Sequence, residues 1–138
     1  LLTDPIQPSI SVVIVAYNSG PELARTLPGL AREMLPGDEV IVVDNNSRES
    51  PRPVIEEHLP EARLIELGLN AGFTTATNRG AAESTGDIVL MLNPDALPEP
   101  GFGEAIRRPF SDRPGWGAWM ALVACRISSR RGKSLGSP

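Results

Sequence analysis

The sequence predicts an α/β domain built on a parallel sheet with helices on both faces. Three observations carry that prediction. Short runs of strand length recur at residues 11–16, 40–43, 63–67 and 88–92; the first two are almost wholly apolar and β-branched, and the last is wholly apolar. Apolar residues at helical spacing fill the intervals between them. Each strand then gives way abruptly to polar residues that favour turns. Strict alternation of this kind calls for right-handed crossovers, which place the helices on the faces of the sheet.

The first run, residues 11–16, reads as a strand buried on both sides. After the loop Tyr17-Asn18-Ser19-Gly20, Pro21 suits a first helical position, and Leu23, Leu27, Leu30 and Met34 follow at spacings of 4, 3 and 4. Pro28 falls inside that stripe and should kink or split the helix, because it removes a backbone donor and crowds the preceding turn. Pro36-Gly37-Asp38 is a turn, and the second strand, residues 40–43, stops at Asp44. Residues 45–53 are polar and proline-bearing; a short helix is expected over 54–59 and a third strand over 63–67. Asn70-Ala71-Gly72 leads into a helix over 73–83, with Gly86 as its stop. The fourth strand, 88–92, ends at Asn93-Pro94-Asp95. A further helix is expected over 100–108 and a further strand over 116–124.

Composition narrows the class. At 138 residues the chain suits one domain, and a 41% hydrophobic content suffices for one real core. One cysteine, Cys125, excludes an internal disulfide framework; with one histidine, His58, zinc sites of several Cys and His ligands are excluded too. No apolar run approaches the ~18 residues of a membrane span. The chain opens on leucine without the basic start of a signal peptide, as a trimmed piece would, and a cytoplasmic, reducing compartment is expected. All 17 acids lie at or before Asp112. After it come five bases and no acid: Arg113, Arg126, Arg130, Arg131 and Lys133. The acidic body argues against nucleic acid as a partner. The basic end reads first as a solvated tail, with a peripheral contact to anionic lipid as the sharper alternative.

In a doubly wound parallel sheet, ligands bind beyond the carboxyl ends of the strands, where the strand order reverses. The unusual polar residues of this chain sit at those ends. Ala16, Tyr17 and Asn18 close the first strand, and Asp44 and Asn45 the second. Asn70 follows the third, and Asn93 and Asp95 follow the fourth. Taken singly, each has an ordinary explanation: an aspartate after a strand is often a turn former or helix cap, Asn70 suits a cap, and Tyr17 suits packing. Four such groups at four successive strand ends point to one crevice.

The first strand-to-helix turn carries a tyrosine where a dinucleotide fold needs glycines. Gly101-Phe102-Gly103 lacks a third glycine, and Gly132-Lys133-Ser134 lacks the first glycine of a Walker loop, with Ile127 in its place. Without a glycine cradle, a diphosphate needs another source of positive charge. A divalent cation held by a strand-end carboxylate supplies it, and Asp95 is placed for that. Asp44, an acceptor-only group, can take the N–H of a base or a ribose hydroxyl. Tyr17 offers a flat face on which a base can stack.

These residues, in this order, resemble the nucleotide-sugar-binding half of the inverting glycosyltransferases of family 2, whose GT-A fold is a Rossmann-like parallel sheet. Val12-Val13-Ile14-Val15-Ala16-Tyr17-Asn18 is similar to that family's first strand and its Tyr-Asn loop. Val40-Ile41-Val42-Val43-Asp44-Asn45-Asn46-Ser47 is similar to the second, whose aspartate binds the donor's base. The longest match runs from Asn70 through Gly72-Phe73, Asn78-Arg79-Gly80 and Gly86-Asp87 to Leu92-Asn93-Pro94-Asp95-Ala96. That last block most resembles the rhamnosyltransferase-type branch, which uses Asn-Pro-Asp where other members carry Asp-x-Asp. The match covers residues 10–97.

The resemblance implies that Asp44 binds a pyrimidine base and that Tyr17 lines the base pocket. Asn70 and the Gly72 backbone border the ribose and phosphates, Asn93 faces the sugar, and Asp95 carries Mg²⁺ or Mn²⁺. Ala16, Asn18, Asn45 and Asn78 complete the implied donor-binding set. The implied reaction moves a sugar from a UDP- or dTDP-sugar to the hydroxyl of a glycan or lipid-linked acceptor. Its implied setting is bacterial cell-wall polysaccharide synthesis, in the cytoplasm or at the inner face of the membrane.

The family's catalytic base belongs to a later, acceptor-binding half. Here no acid follows Asp112, and Glu99, Glu104 and Asp112 match no family motif for that role. Residues 1–112 are therefore read as a nucleotide-sugar-binding α/β domain, and residues 113–138 as the start of an acceptor region or a basic tail. The chain reads as cut short before the acceptor half and is expected to transfer little sugar alone. Two readings compete: a non-catalytic nucleotide-binding module and a structural α/β interaction domain. Binding without turnover marks the first, and failure to bind any nucleotide marks the second.

Overall fold

A computed structural model of the chain describes residues 7–112. Strands and helices alternate without exception: β1 (Ile10–Ala16), α1 (Gly20–Glu33), β2 (Glu39–Asp44), α2 (Arg52–His58), β3 (Arg63–Glu66), α3 (Phe73–Ala82), β4 (Ile88–Leu92) and α4 (Phe102–Asp112). The four strands form one parallel sheet in the order β3-β2-β1-β4. The chain steps outward from β1 to β3, then crosses back to lay β4 on the other side of β1. The strand order thus reverses between β1 and β4.

Right-handed crossovers put the helices of the outward steps on one face and the returning helix on the other. The packing follows that rule. Leu23, Leu27 and Leu30 of α1 and Ile55 of α2 share a core with Val12, Ile14, Val40 and Val42, and Ile106 of α4 joins them. On the opposite face, Ala76 of α3 packs with Val13, Ile41 and Val43. Gly80 brings α3 close to the sheet: a Cβ there would collide with Val13 and lie 3.1 Å from Val43 Cγ2.

At the amino ends of the strands, a buried ion pair joins Arg107 of α4 to Asp38, their side chains 5% and 1% exposed. Asp38 also accepts the N–H groups of Ile10 (2.9 Å) and Leu35 (2.7 Å). Glu39 accepts from the Ser11 hydroxyl at 2.7 Å and from Thr85 N–H at 2.6 Å, tying β1, β2 and the approach to β4 together.

Three expectations are corrected. Helix α1 runs as one helix through Pro28. The proline costs about 3 kcal/mol, but Leu23, Leu27 and Leu30 are fully buried on the sheet and hold both halves against it, so the helix is not split. Gly86 is not the stop of α3, which closes at Glu83 with its N–H on the Arg79 and Gly80 carbonyls. A Cβ on Gly86 would lie 2.7 Å from Ser11 Oγ, so that glycine admits a close approach to β1. Helix α4 spans Phe102–Asp112 rather than 100–108, because Gly101, at φ +91, turns the chain just before it. The expected strand over 116–124, Cys125 and the basic end lie outside the described residues. No helix among the described residues is long and apolar enough to cross a membrane.

Candidate functional site

The loops after β1, β2 and β3 form one hydrogen-bonded unit at the carboxyl edge of the sheet. Asp44, the last residue of β2, is buried and accepts the Ser47 hydroxyl at 2.5 Å. The same Ser47 oxygen accepts Asn18 N–H at 2.8 Å, while Asn18 Oδ1 accepts Arg48 N–H at 2.8 Å. Asn18 and Asn46 hold φ values of +50 and +69, a region that asparagine tolerates better than most residues. Asn45, also buried, donates its backbone N–H to the Ala16 carbonyl at 2.8 Å. Its side chain reaches the third loop: Nδ2 donates to Asn70 Oδ1 at 2.9 Å, and Oδ1 accepts Ala71 N–H at 2.9 Å.

Asn70 does not cap α3. Its Oδ1 instead accepts Gly72 N–H at 3.1 Å, and Gly72, at φ +86, is the residue that opens the helix. A Cβ on Gly72 would meet open space, so backbone conformation rather than crowding requires glycine there. Tyr17, the residue after β1, is 52% exposed. Asn78 lies exposed on the second turn of α3, apart from these bonds among the described residues.

The loop after β4 is held differently. Ile14 pairs with Leu92, so β4 delivers Asn93 and Asp95 beside the end of β1. Ala96 N–H donates to Asn93 O at 3.1 Å, closing a turn with Pro94 and Asp95 as its two central residues. Both Asn93 and Asp95 are exposed. The buried Thr26 hydroxyl of α1 lies against the Pro94 and Ala96 carbonyls. Among the described residues, no three His, Cys, Asp or Glu gather into a protein-only metal cage.

The fold thus brings Ala16, Tyr17, Asn18, Asp44, Asn45, Asn70 and Gly72 to one edge, with Asn93 and Asp95 across the reversal point from Asp44. Sequence reasoning missed Ser47 and Thr26. Ser47 stands three residues after Asp44, a spacing at which a hydroxyl can turn back onto a carboxylate. Thr26 is a polar residue on the apolar stripe of α1, between Leu23 and Leu27. Both signals were readable.

The architecture is the N-terminal part of a GT-A fold. S. aureus TarS 1-349 in complex with UDP-GlcNAc matches with a TM-score of 0.70 at 20% identity, over 83% of this chain and 38% of that one. The mannosyltransferase PcManGT of Pyrobaculum calidifontis, in complex with GDP-Man and Mn²⁺, matches with a TM-score of 0.63 at 26% identity, over 73% of this chain and 31% of that one. In sequence, the chain is 37% identical over 101 residues to the uncharacterized glycosyltransferase YwdF of Bacillus subtilis. It is 32% identical over 125 residues to the N-acetylglucosaminyl-diphospho-decaprenol L-rhamnosyltransferase of Mycobacterium tuberculosis. Those alignments take in 72% and 83% of this chain but 37% and 41% of the relatives. The family model described as Glycosyl transferase family 2 matches residues 11–134, and the chain belongs to that family.

Proposed function

We propose that this chain is the donor-binding part of a glycosyltransferase that moves a sugar from a UDP- or dTDP-sugar to the hydroxyl of a glycan or lipid-linked acceptor. One observation carries the reading: Asp44 and Asp95 stand at strand ends on opposite sides of the point where the strand order reverses, the position at which such sheets bind ligands. The nucleotide-sugar complexes among its structural neighbours, one with UDP-GlcNAc and one with GDP-Man, support a nucleotide sugar as donor.

Asp44 keeps an acceptor oxygen for a base N–H while Ser47 orients the carboxylate. Tyr17 stacks against the base, and Ala16, Asn18 and Asn45 shape the floor below it. Asn70 and Gly72 border the ribose and phosphates, and Asn78 stands behind them on α3. The N-terminal N–H groups of α1 and α3 face the same edge, an arrangement that favours phosphate. Asn93, neutral and exposed, faces the sugar.

The residues present fit a divalent cation, Mg²⁺ or Mn²⁺, shared with the ligand rather than caged by protein. Such ions are commonly held by one or two carboxylates plus substrate phosphates. Asp95 supplies one exposed carboxylate, and the carbonyls on either side of it are turned toward Thr26. When bound, the ion would neutralise charge on the departing diphosphate. A place in the cytoplasm, at the inner face of the membrane, suits a lipid-linked acceptor.

The test is a thermal-shift and calorimetric panel of UDP, dTDP, uridine and thymidine, with and without Mn²⁺. Ligand at about a hundred times its Kd should stabilise the chain by roughly 2.7 kcal/mol. Asp95→Ala should abolish the metal-dependent part of diphosphate binding and spare the nucleosides. Asp44→Ala should weaken the nucleosides even without metal. Equal weakening of metal-free nucleoside binding by both changes would show the two roles to be wrongly assigned.

A further inference from the structure

Helix α1 touches the segment that carries Asp95 at three places, all on one ridge. Thr26, Gly29 and Glu33 are spaced by three and four residues and so line one side of the helix. The Thr26 hydroxyl has one proton to give, and it stands 2.7 Å from Pro94 O and 2.5 Å from Ala96 O. Those are the carbonyls immediately before and after Asp95. Gly29 faces Pro98, and a Cβ there would lie 2.8 Å from the Pro98 carbonyl oxygen, closer than real side chains sit. Glu33 takes one N–H on each carboxylate oxygen, from Gly101 at 3.2 Å and from Gly103 at 3.0 Å. Its negative charge also meets the start of α4, where unpaired N–H groups favour an anion.

Residues 93–103 therefore run alongside α1 and are pinned at the start, the middle and the end. A turn closed by one bond leaves its apex free to swing with the loop. A single hydroxyl proton shared between the two carbonyls that flank Asp95 restricts that freedom.

We propose that the Thr26–Gly29–Glu33 ridge of α1 positions Asp95 for the divalent cation that accompanies the diphosphate, with Thr26 as the principal positioning residue. This rests on the reading of Asp95 given above. Thr26 acts through the Pro94 and Ala96 carbonyls, as outer partners of metal ligands do; losing such a partner typically costs about 10–100-fold in metal affinity. An anchor that only stabilised the fold would lower the melting temperature and leave the folded fraction's response to Mn²⁺ unchanged. A positioning role removes that response selectively.

The experiment is calorimetric titration of the 138-residue chain with UDP and with uridine, each with and without MnCl₂. Thr26→Val should bind UDP in Mn²⁺ about tenfold more weakly than wild type, with metal-free uridine affinity held to within about twofold. Thr26→Ser, which restores the hydroxyl, should recover the wild-type response. Glu33→Gln keeps the volume and one acceptor oxygen and should lose a smaller part of the Mn²⁺ increment with metal-free uridine affinity unchanged; it decides the matter if Thr26→Val does not unfold cooperatively. A folded Thr26→Val with the full wild-type Mn²⁺ increment overturns the positioning role. So does an equal loss of uridine binding, which marks general damage to the crevice. A wild-type chain that binds UDP equally with and without Mn²⁺ overturns the assignment of Asp95 itself, and this proposal with it.

Discussion

Asn45 is buried at the end of β2, and both ends of its amide are used, one on Ala71 N–H and one on Asn70 Oδ1. No other side chain type of that length offers a donor and an acceptor side by side without charge. Truncation strands the Ala71 N–H and releases Asn70, and leaving a buried group unpaired costs about 1–3 kcal/mol. Asn45→Ala should therefore lower the melting temperature by roughly 4 °C for each kcal/mol lost. Asn45→Asp keeps the acceptor for Ala71 but sets a buried carboxylate oxygen against Asn70 Oδ1 beside Asp44, and should lose at least as much. Thermal denaturation followed by circular dichroism at neutral pH checks both. The asparagine could be seen in the sequence as a strand-end polar residue; its partner could not, because Asn70 is 25 residues away and reaches it only once β2 and β3 pair.

At the scale of elements, α3 shows how closeness to the sheet depends on one position. Gly80 faces Val13 and Val43, and a methyl group has no room between them. Alanine favours an isolated helix over glycine by about 1 kcal/mol, whereas forcing extra volume into a packed face costs typically ~1–3 kcal/mol. Crowding wins, so Gly80→Ala should be less stable than wild type in urea titration, against the helix-propensity expectation. Helix α1 shows the opposite balance. A proline in its interior is overruled by three fully buried leucines on one face. That stripe was legible as a 4, 3, 4 spacing, while the outcome at Pro28 depended on the area that stripe finds to bury.

The whole molecule is tied at the amino edge of its sheet and opens at the carboxyl edge. Asp38 with Arg107, and Glu39 with Ser11 and Thr85, fasten the first edge; loops joined by short polar side chains make the second. Burial pushes the Glu39 carboxyl up, but hydrogen bonds from Ser11 and Thr85 and the charge of Arg63 together hold it below its ordinary value of 4.5. A carboxylate whose value is lower folded than unfolded stabilises the fold above its unfolded value, and the contribution fades as pH falls through the folded one. Urea midpoints should therefore decline on acidification below pH ~4.5. Glu39→Gln should be about 1 kcal/mol less stable than wild type at pH 7. That gap should narrow as the pH approaches 3, because protonation makes the wild-type group equally neutral. Midpoints of the two proteins across that pH range check the sign.

The sequence by itself determined the order of elements, the parallel sense of the sheet and the strand ends at which polar residues collect. Those follow from local rules: a β-branched run buries both faces, a 3.6-residue stripe makes a helix, and alternation forces crossovers of one hand. Gly86 was legible as a required glycine but misread as a helix stop, since Ser11, whose close approach demands it, lies 75 residues earlier. Only the tertiary structure decided that β4 returns to the far side of β1, which sets Asp95 across the reversal point from Asp44. It alone joined Asn45 to Asn70 and Thr26 to the carbonyls beside Asp95, contacts spanning 25 to 70 residues of chain. Local periodicity carries no record of such distances, because they come into being when sheet and helices close on a common core.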